Sequence, residues 1–212
     1  MIPFSPEVFF ALFEEYNLAI WPAQLIAYGL GLLVLVLAIR PSPITGTLIG
    51  VILAAFWLWN GIVYHWLFFS PINFAAPVFA GLFVLQALAL LWKCTIRRNV
   101  TFAFRRDAIS VADLTLMVSA LAVYPLLAIA SGHEWPQFAV FGVAPTPTVI
   151  FSFGVLMLVR PRVSLALLII PILWALITGI VLWLVGIPED ALLPVTALVA
   201  VALIVRQRRK PA

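Results

Sequence analysis

Charged residues are scarce in this sequence. Lysine, arginine, aspartate and glutamate together make up 9% of its 212 residues, whereas 65% are hydrophobic. A soluble domain of this length carries about 25% charged residues. Because such a chain cannot cover its apolar side chains with a charged surface, it is predicted to lie mostly in lipid.

Cysteine and lysine are scarce as well. The single cysteine, Cys94, excludes a disulfide within the chain and any paired-thiol metal or redox site. The lysines are Lys93 and Lys210, so the last hydrophobic segment lacks the Schiff-base lysine that retinal proteins need. The sequence also has no phosphate-binding loop and no HExxH, paired aspartates or Ser–His pair inside a hydrophobic segment. These absences favour a protein that is not an enzyme.

Hydrophobic residues gather into seven stretches, each near the roughly 20 residues that a membrane-spanning helix needs. The stretches cover Leu18–Ile39, Ile44–Phe69, Phe74–Trp92, Val111–Ala130, Ala144–Val159, Ser164–Val185 and Ala191–Val205. They predict an all-α fold, a bundle of seven transmembrane helices within residues 18–206.

A short helix is predicted ahead of the first stretch, within residues 1–17. Ser5 suits the N-cap position and Pro6 the first helical position. Aromatic residues recur along one face of this segment, namely Phe9, Phe10, Phe13 and Tyr16. The pattern predicts an amphipathic helix that lies in the outer interface of the membrane.

All twelve lysines and arginines lie on one side of the seven-stretch pattern. They follow the first, third, fifth and seventh stretches, and they are Arg40, Lys93, Arg97, Arg98, Arg105, Arg106, Arg160, Arg162, Arg206, Arg208, Arg209 and Lys210. Because Lys and Arg are retained on the cytoplasmic side, the pattern predicts an outer N-terminus, a cytoplasmic C-terminus and a basic cytoplasmic tail at residues 207–212. Charges in short loops favour membrane lipids as partners and disfavour nucleic acid.

Polar and aromatic residues collect on the predicted outer side. The candidate binding residues are Tyr16, Asn17, Trp21, Asn60, Tyr64, His65, His133, Glu134, Glu189 and Asp190. The functional interpretation is an outward-opening pocket whose imidazoles and carboxylates bind a metal, a proton or a cationic solute. The structural alternative is that Trp, Tyr and His form an interfacial belt without a ligand. On that interpretation His133 and Glu134 lie in a solvated loop.

No cofactor is predicted. His65 and His133 are the two histidines of the chain, and imidazoles are common ligands of haem iron, zinc and copper. Because no HExxH or other ligand spacing accompanies them, haem or a divalent metal held by these two residues is a minority alternative.

Several patterns are predicted to be structural. Gly46-x-x-x-Gly50 is a close-packing motif, and it favours contacts within the chain over a dimer seam. Ser110-x-x-Asp113 resembles a capping box that opens the fourth transmembrane helix. The segment Lys93–Ser110 is predicted to form an interfacial ribbon or helix.

Four strings resemble motifs of a known family. They are YNxAIWPxQ at residues 16–24, NGxxYH at 60–65, GHxxP at 132–136 and FGxxPxPTxIF at 141–151. They are similar to those of an uncharacterised bacterial family of polytopic membrane proteins, catalogued as a domain of unknown function. The resemblance implies residence in a membrane, and it implies no activity. The predicted localisation is the bacterial inner membrane, with several crossings. The resemblance falls mainly on the segments predicted to lie at the outer face.

Three functional hypotheses remain open. The first is a transporter or channel-like protein that binds a small solute or ion through the outer-face pocket. The second is a non-catalytic accessory subunit of a larger membrane complex, since the sequence shows no soluble domain. The third is a haem- or metal-binding redox subunit, with His65 and His133 as ligands.

Overall fold

The computed structural model describes residues 4–97, 100–104, 108–160, 162–185 and 187–209. These residues are helical apart from loops and one short ribbon, as the all-α prediction requires. The α-helices are α1 Pro6–Ala19, α2 Ala23–Ile39, α3 Pro43–Trp59, α4 Ala76–Leu91, α5 Ala108–Val118, α6 Tyr124–Ala130, α7 Pro145–Met157, α8 Ala166–Val185 and α9 Leu192–Arg209. The π-helical segments are Asn60–Phe69 after α3, Trp92–Ile96 after α4 and Ser119–Val123 between α5 and α6, and a 3-10 turn at Pro188–Ala191 leads into α9.

Several helices have the length and composition of membrane spans. Four qualify among the described residues, namely Ile44–Phe69, Ala76–Ile96, Ser110–Ala130 and Pro188–Val205. A fifth is added if α1 and α2, which meet at 84°, form one broken span. The helices Pro145–Met157 and Ala166–Val181 are apolar but shorter. The structure therefore supports four or five of the seven predicted spans by length and composition.

The N-terminal helix begins where its sequence indicates. Ser5 is the N-cap of α1, its hydroxyl accepts a hydrogen bond from the Val8 amide at 3.5 Å, and Pro6 is the first helical residue. The aromatic face of α1 is buried through Phe9, Phe13 and Tyr16, and it packs against the π-helical segment Asn60–Phe69. The helix is thus held against protein along its apolar face.

The helix α7 occupies the centre of the bundle. Every side chain from Pro145 to Met157 is buried, and the helix packs against α3, α5, α8 and α9. Its 13 residues span about 20 Å at 1.5 Å per residue, which is less than the roughly 30 Å of a bilayer core. Because α7 touches protein on all sides, its length does not have to match the thickness of the lipid.

The two ends of the bundle differ in charge. Arg40 follows α2, Arg97 follows the extension of α4, and Arg160 follows α7, and we call this the basic end. Glu134 and Asp190 lie at the opposite end, which we call the acidic end. The helical run of 26 residues between the two ends covers about 40 Å.

A short antiparallel ribbon closes the basic end. Strand β1, Thr101–Phe102, pairs with strand β2, Val159–Arg160, with Thr101 opposite Arg160 and Phe102 opposite Val159. Phe102 is 1% exposed. The described part of the predicted segment Lys93–Ser110 thus contains both forms, namely helical residues at each end and one strand of the ribbon between them.

Close packing at the glycine motif is confirmed, whereas the predicted helix cap is wrong. A Cβ atom at Gly50 would collide with the Cys94 side chain, and one at Gly46 would lie 2.7 Å from the Val100 carbonyl oxygen, so both contacts lie within the chain. Helix α5 already includes Ala108, which places Ser110 inside the helix rather than at its N-cap.

Candidate functional site: a carboxylate-bearing aromatic pocket

A cavity opens at the acidic end of the bundle, between α1, the π-helical segment Asn60–Phe69, α8 and the 3-10 turn before α9. Its volume is about 780 Å³ with its mouth included. Aromatic side chains form most of its wall, namely Phe4, Phe9, Phe10, Phe13, Tyr64, Phe69, Phe79, Phe138 and Trp174. Its polar lining residues are Asn73, Tyr124, Gln137, Thr146, Thr178, Glu189 and Asp190. Ligand sites in proteins combine such apolar walls with a few polar groups, and we call this cavity the aromatic pocket.

Asp190 holds three elements together at the pocket. Its carboxylate is 7% exposed and accepts a hydrogen bond from the Tyr124 hydroxyl on α6 at 2.6 Å. The Thr146 hydroxyl at the start of α7 also donates to it. Asp190 lies in the 3-10 turn that leads directly into α9, and this position brings its carboxylate to the Tyr124 hydroxyl.

Glu189 is buried more deeply, and only one of its oxygens has a partner. The residue is 2% exposed, and its Oε1 lies 2.8 Å from His133 Nδ1. Its Oε2 is buried and has no hydrogen-bond partner among the described residues. A buried polar atom without a partner loses its interactions with water and gains nothing in return. Since Glu189 also lines the cavity, its Oε2 is an acceptor without a donor at the pocket wall.

The electrostatics of the pocket are those of an anionic site. Glu189 and Asp190 are adjacent in sequence and buried together, where the low dielectric strengthens every charge interaction. No lysine or arginine belongs to the described pocket lining. His133, whose ring lies 4.4 Å from that of Phe10, is the basic side chain that contacts this pair. The pocket therefore disfavours anions and favours a ligand that is cationic or rich in hydrogen-bond donors.

Tyr16 and Asn17 anchor the wall rather than line the pocket. The Tyr16 hydroxyl donates to the Val143 carbonyl at 2.5 Å and accepts from Trp59 Nε1 at 2.9 Å. The Asn17 amide donates to the Pro136 carbonyl at 2.6 Å and the Phe138 carbonyl at 2.9 Å. These bonds fasten the C-terminal end of α1 to the loop between α6 and α7. The loop and the helix then present their aromatic side chains to the same cavity.

Asn60 has a comparable anchoring role at the start of the π-helical segment. Its amide donates to the Phe56 carbonyl at 2.8 Å and to the Gly142 carbonyl at 3.1 Å. Gly142 has a φ of +79°, and a Cβ there would lie 2.7 Å from the Ala27 side chain. Glycine is the residue that tolerates this conformation and this approach. The loop that bears Gly142 can therefore fold tightly over α2 and α3.

Tyr64 and His65 lie side by side on the π-helical segment in different surroundings. Tyr64 lines the pocket and is 3% exposed. His65 is fully buried, with ring centroids of Phe83 and Trp174 at 4.8 and 5.0 Å from its own. Neither of its ring nitrogens has a hydrogen-bond partner among the described residues. Long π-helical segments are rare and frequently occur at functional sites, which fits a segment that carries Tyr64 into the pocket wall.

The remaining candidates from the sequence lie outside the pocket. Trp21 is 58% exposed and contacts the Trp135 ring edge-on, as expected of an interfacial aromatic pair. Glu134 is exposed in the loop between α6 and α7. For the metal alternative, the described residues contain no group of three or more His, Cys, Asp or Glu side chains placed to hold an ion. His133 pairs instead with Glu189.

Sequence reasoning missed several residues that the structure places in the pocket. Tyr124, Thr146, Trp174 and Thr178 all come from hydrophobic stretches. The signal for Tyr124 was its position near the outer end of the fourth stretch, at the same level as the acidic loops. No periodic pattern marks these residues in the sequence, because they come from three different helices and meet only at the cavity between them.

Comparison with known proteins identifies a family but no activity. A protein-family model, described as a family of unknown function, matches residues 6–212. No curated protein and no solved structure matches the chain.

Proposed function

Because the chain belongs to that family of unknown function, DUF6064, and membership carries no activity, we propose a function from the geometry alone: the protein binds a small solute in the aromatic pocket and transports it. The observation that carries the proposal is the pair Glu189 and Asp190 on the pocket wall, buried at 2% and 7% exposure. Buried ionisable residues in membrane proteins mark solute and ion pathways. A pocket with an aromatic wall and two carboxylates is suited to binding a solute.

The proposal takes all seven hydrophobic stretches as crossings of a bacterial inner membrane, with the acidic end outside. The segregation of arginines to the basic end supports this orientation. The complete burial of α7 supports counting it as a crossing despite its 13 residues, since it is enclosed by longer helices. On this arrangement the aromatic pocket lies at the outer surface, and α1 forms part of its wall.

A substitution that fills the pocket with a larger uncharged side chain tests the proposal and leaves the charge of the pocket unchanged. Thr178 lines the pocket and is 4% exposed, so Thr178→Phe is expected to occupy part of the space that a solute needs. Thr115 is exposed on α5, and Thr115→Phe is the matched control. Purified protein in nanodiscs is screened for thermal stabilisation by amines, amino acids, sugars and carboxylates. A solute at 100 times its Kd stabilises its target by about 2.7 kcal/mol.

We expect at least one solute to stabilise the wild type and Thr115→Phe, and to stabilise Thr178→Phe much less. The same solute is then tested for counterflow in proteoliposomes, where Thr178→Phe is expected to reduce uptake. Stabilisation that is equal in the two variants, or a panel without any hit, would contradict binding in this pocket.

A further inference from the structure

We infer that the ligand of the aromatic pocket is a primary or secondary ammonium ion attached to an apolar group. This inference rests on the proposed function and names the chemical class of its solute. Three features of the described residues carry it: an unpaired buried carboxylate oxygen, the lack of a compensating lysine or arginine, and the aromatic wall.

The unpaired oxygen requires a donor. Glu189 Oε2 is buried without a hydrogen-bond partner among the described residues, whereas Oε1 of the same carboxylate is held by His133. The neighbouring Asp190 already accepts bonds from Tyr124 and Thr146. An N–H group that reaches Glu189 Oε2 would give this last carboxylate oxygen its hydrogen-bond donor. A quaternary ammonium ion carries no N–H and cannot do so.

The charge balance favours a cation. Two buried carboxylates in one cavity are costly unless a proton or another positive charge neutralises them. His133 is the basic side chain that touches the pair, and it contacts one oxygen of Glu189. A bound ammonium ion supplies the missing charge and the missing donor together, which neither a neutral alcohol nor a carboxylate does.

The wall requires an apolar body on the ligand. Ring faces such as those of Tyr64 and Trp174 attract cations and bury apolar surface at the same time. A fully hydrated inorganic cation would leave this aromatic surface without a contact. An alkyl or aryl group attached to the ammonium nitrogen fills the space between Glu189 and the aromatic side chains of α1.

Matched probes test the class. Binding of 2-phenylethylamine, its N,N,N-trimethyl derivative, 2-phenylethanol and 3-phenylpropionate is measured on the full chain in phosphatidylcholine nanodiscs by calorimetry. We expect the primary amine to bind about tenfold or more tightly than the other two, because the alcohol brings a donor without a positive charge and the trimethyl derivative brings the charge without a donor. The carboxylate is expected not to bind.

Variants assign the effect to Glu189. Glu189→Gln is expected to weaken binding of the amine about tenfold and to leave the alcohol unchanged. His133→Leu keeps the Glu189 carboxylate and removes the imidazole that contacts its Oε1, so binding of the amine is expected to be tighter. This second variant keeps the test valid if Glu189→Gln fails to fold. Glu134→Gln, which alters an exposed acid outside the pocket, is the control.

The same chemistry is carried by free amines and by the headgroup of phosphatidylethanolamine. Repeating the titration in nanodiscs that contain phosphatidylethanolamine separates the two sources, since a lipid ligand would compete with 2-phenylethylamine. Equal affinity for the amine and the alcohol, or amine binding that is insensitive to Glu189→Gln, would overturn the inference. If Thr178→Phe still blocked binding of the amine in either case, the proposed solute site in the pocket would be supported, whereas the inference that its ligand is a cation would be wrong.

Discussion

Glu189 and Asp190 show how strongly neighbouring residues can differ in their surroundings. Asp190 is held by hydroxyl groups from two other helices, whereas Glu189 faces His133 with one oxygen and has no donor at the other. The short 3-10 turn at Pro188–Ala191 sends the two side chains in different directions. One acid therefore has a structural role in joining helices, and the other is available to a ligand.

Removal of the Tyr124 hydroxyl tests the structural role of Asp190. Tyr124→Phe leaves the buried carboxylate without its donor at 2.6 Å, so the free energy of unfolding is expected to fall by about 1–3 kcal/mol. Denaturation of the purified protein in mild detergent measures the change. Tyr28→Phe, at a half-buried tyrosine outside the pocket, is the control and should be nearly neutral. A Tyr124→Phe protein as stable as the wild type would show that the bond contributes nothing to the fold.

At the scale of the element, α1 packs against other parts of the protein, which its amphipathic pattern alone does not indicate. Its aromatic face was predicted to meet the membrane interface, and in the structure that face meets the π-helical segment and the aromatic pocket. Sequence periodicity identifies an apolar face but not what covers it, because lipid and protein are equally apolar partners. The interfacial location of α1 stays a prediction.

The attachment of α1 depends on Asn17. Asn17→Ala removes both donors to the Pro136 and Phe138 carbonyls, so α1 is expected to separate more readily from the loop that it holds. Hydrogen–deuterium exchange of residues 6–19 should increase, and binding in the pocket should weaken. Glu15→Ala changes an exposed side chain on the same helix and should leave exchange as in the wild type. Unchanged exchange in Asn17→Ala would place the anchor of α1 elsewhere.

At the scale of the whole molecule, charge is divided between two ends that lie about 40 Å apart along the 26-residue helical run. The acidic end carries the aromatic pocket, and the basic end carries the ribbon β1–β2 and the arginines beside it. Because Lys and Arg are retained on the cytoplasmic side, this division favours an orientation in which the basic end lies inside. The accessory-subunit and redox hypotheses stay predictions, since they depend on partners or cofactors.

Accessibility labelling measures the orientation directly. In a Cys94→Ala background, Glu134→Cys and Arg162→Cys each place one thiol at an exposed position, at the acidic and the basic end respectively. A membrane-impermeant maleimide applied to intact cells is expected to label position 134 and not position 162. Labelling of both positions after permeabilisation is the control. The reverse pattern in intact cells would put the aromatic pocket on the cytoplasmic side.

The sequence alone determined the class of the molecule and the position of its polar end. Hydropathy set the helical segments closely, and the predicted stretch Ile44–Phe69 coincides with a helical run in the structure. Charge placed both histidines and most acids toward one end, because each helix reverses direction and the loops alternate. Both inferences depend only on the order of residues along the chain. In a bundle of antiparallel helices, that order determines the end at which each loop lies.

Only the tertiary structure decided which of those polar residues meet. It turned Tyr16, Asn17 and Asn60 into anchors, left Trp21 and Glu134 at the surface, and brought Tyr124 and Thr146 to Asp190. It also showed that α7 is a central helix, which hydropathy cannot distinguish from one that faces lipid. The physical reason is that protein interiors and lipid are alike in polarity, so the sequence records that a residue is buried but not which neighbours bury it.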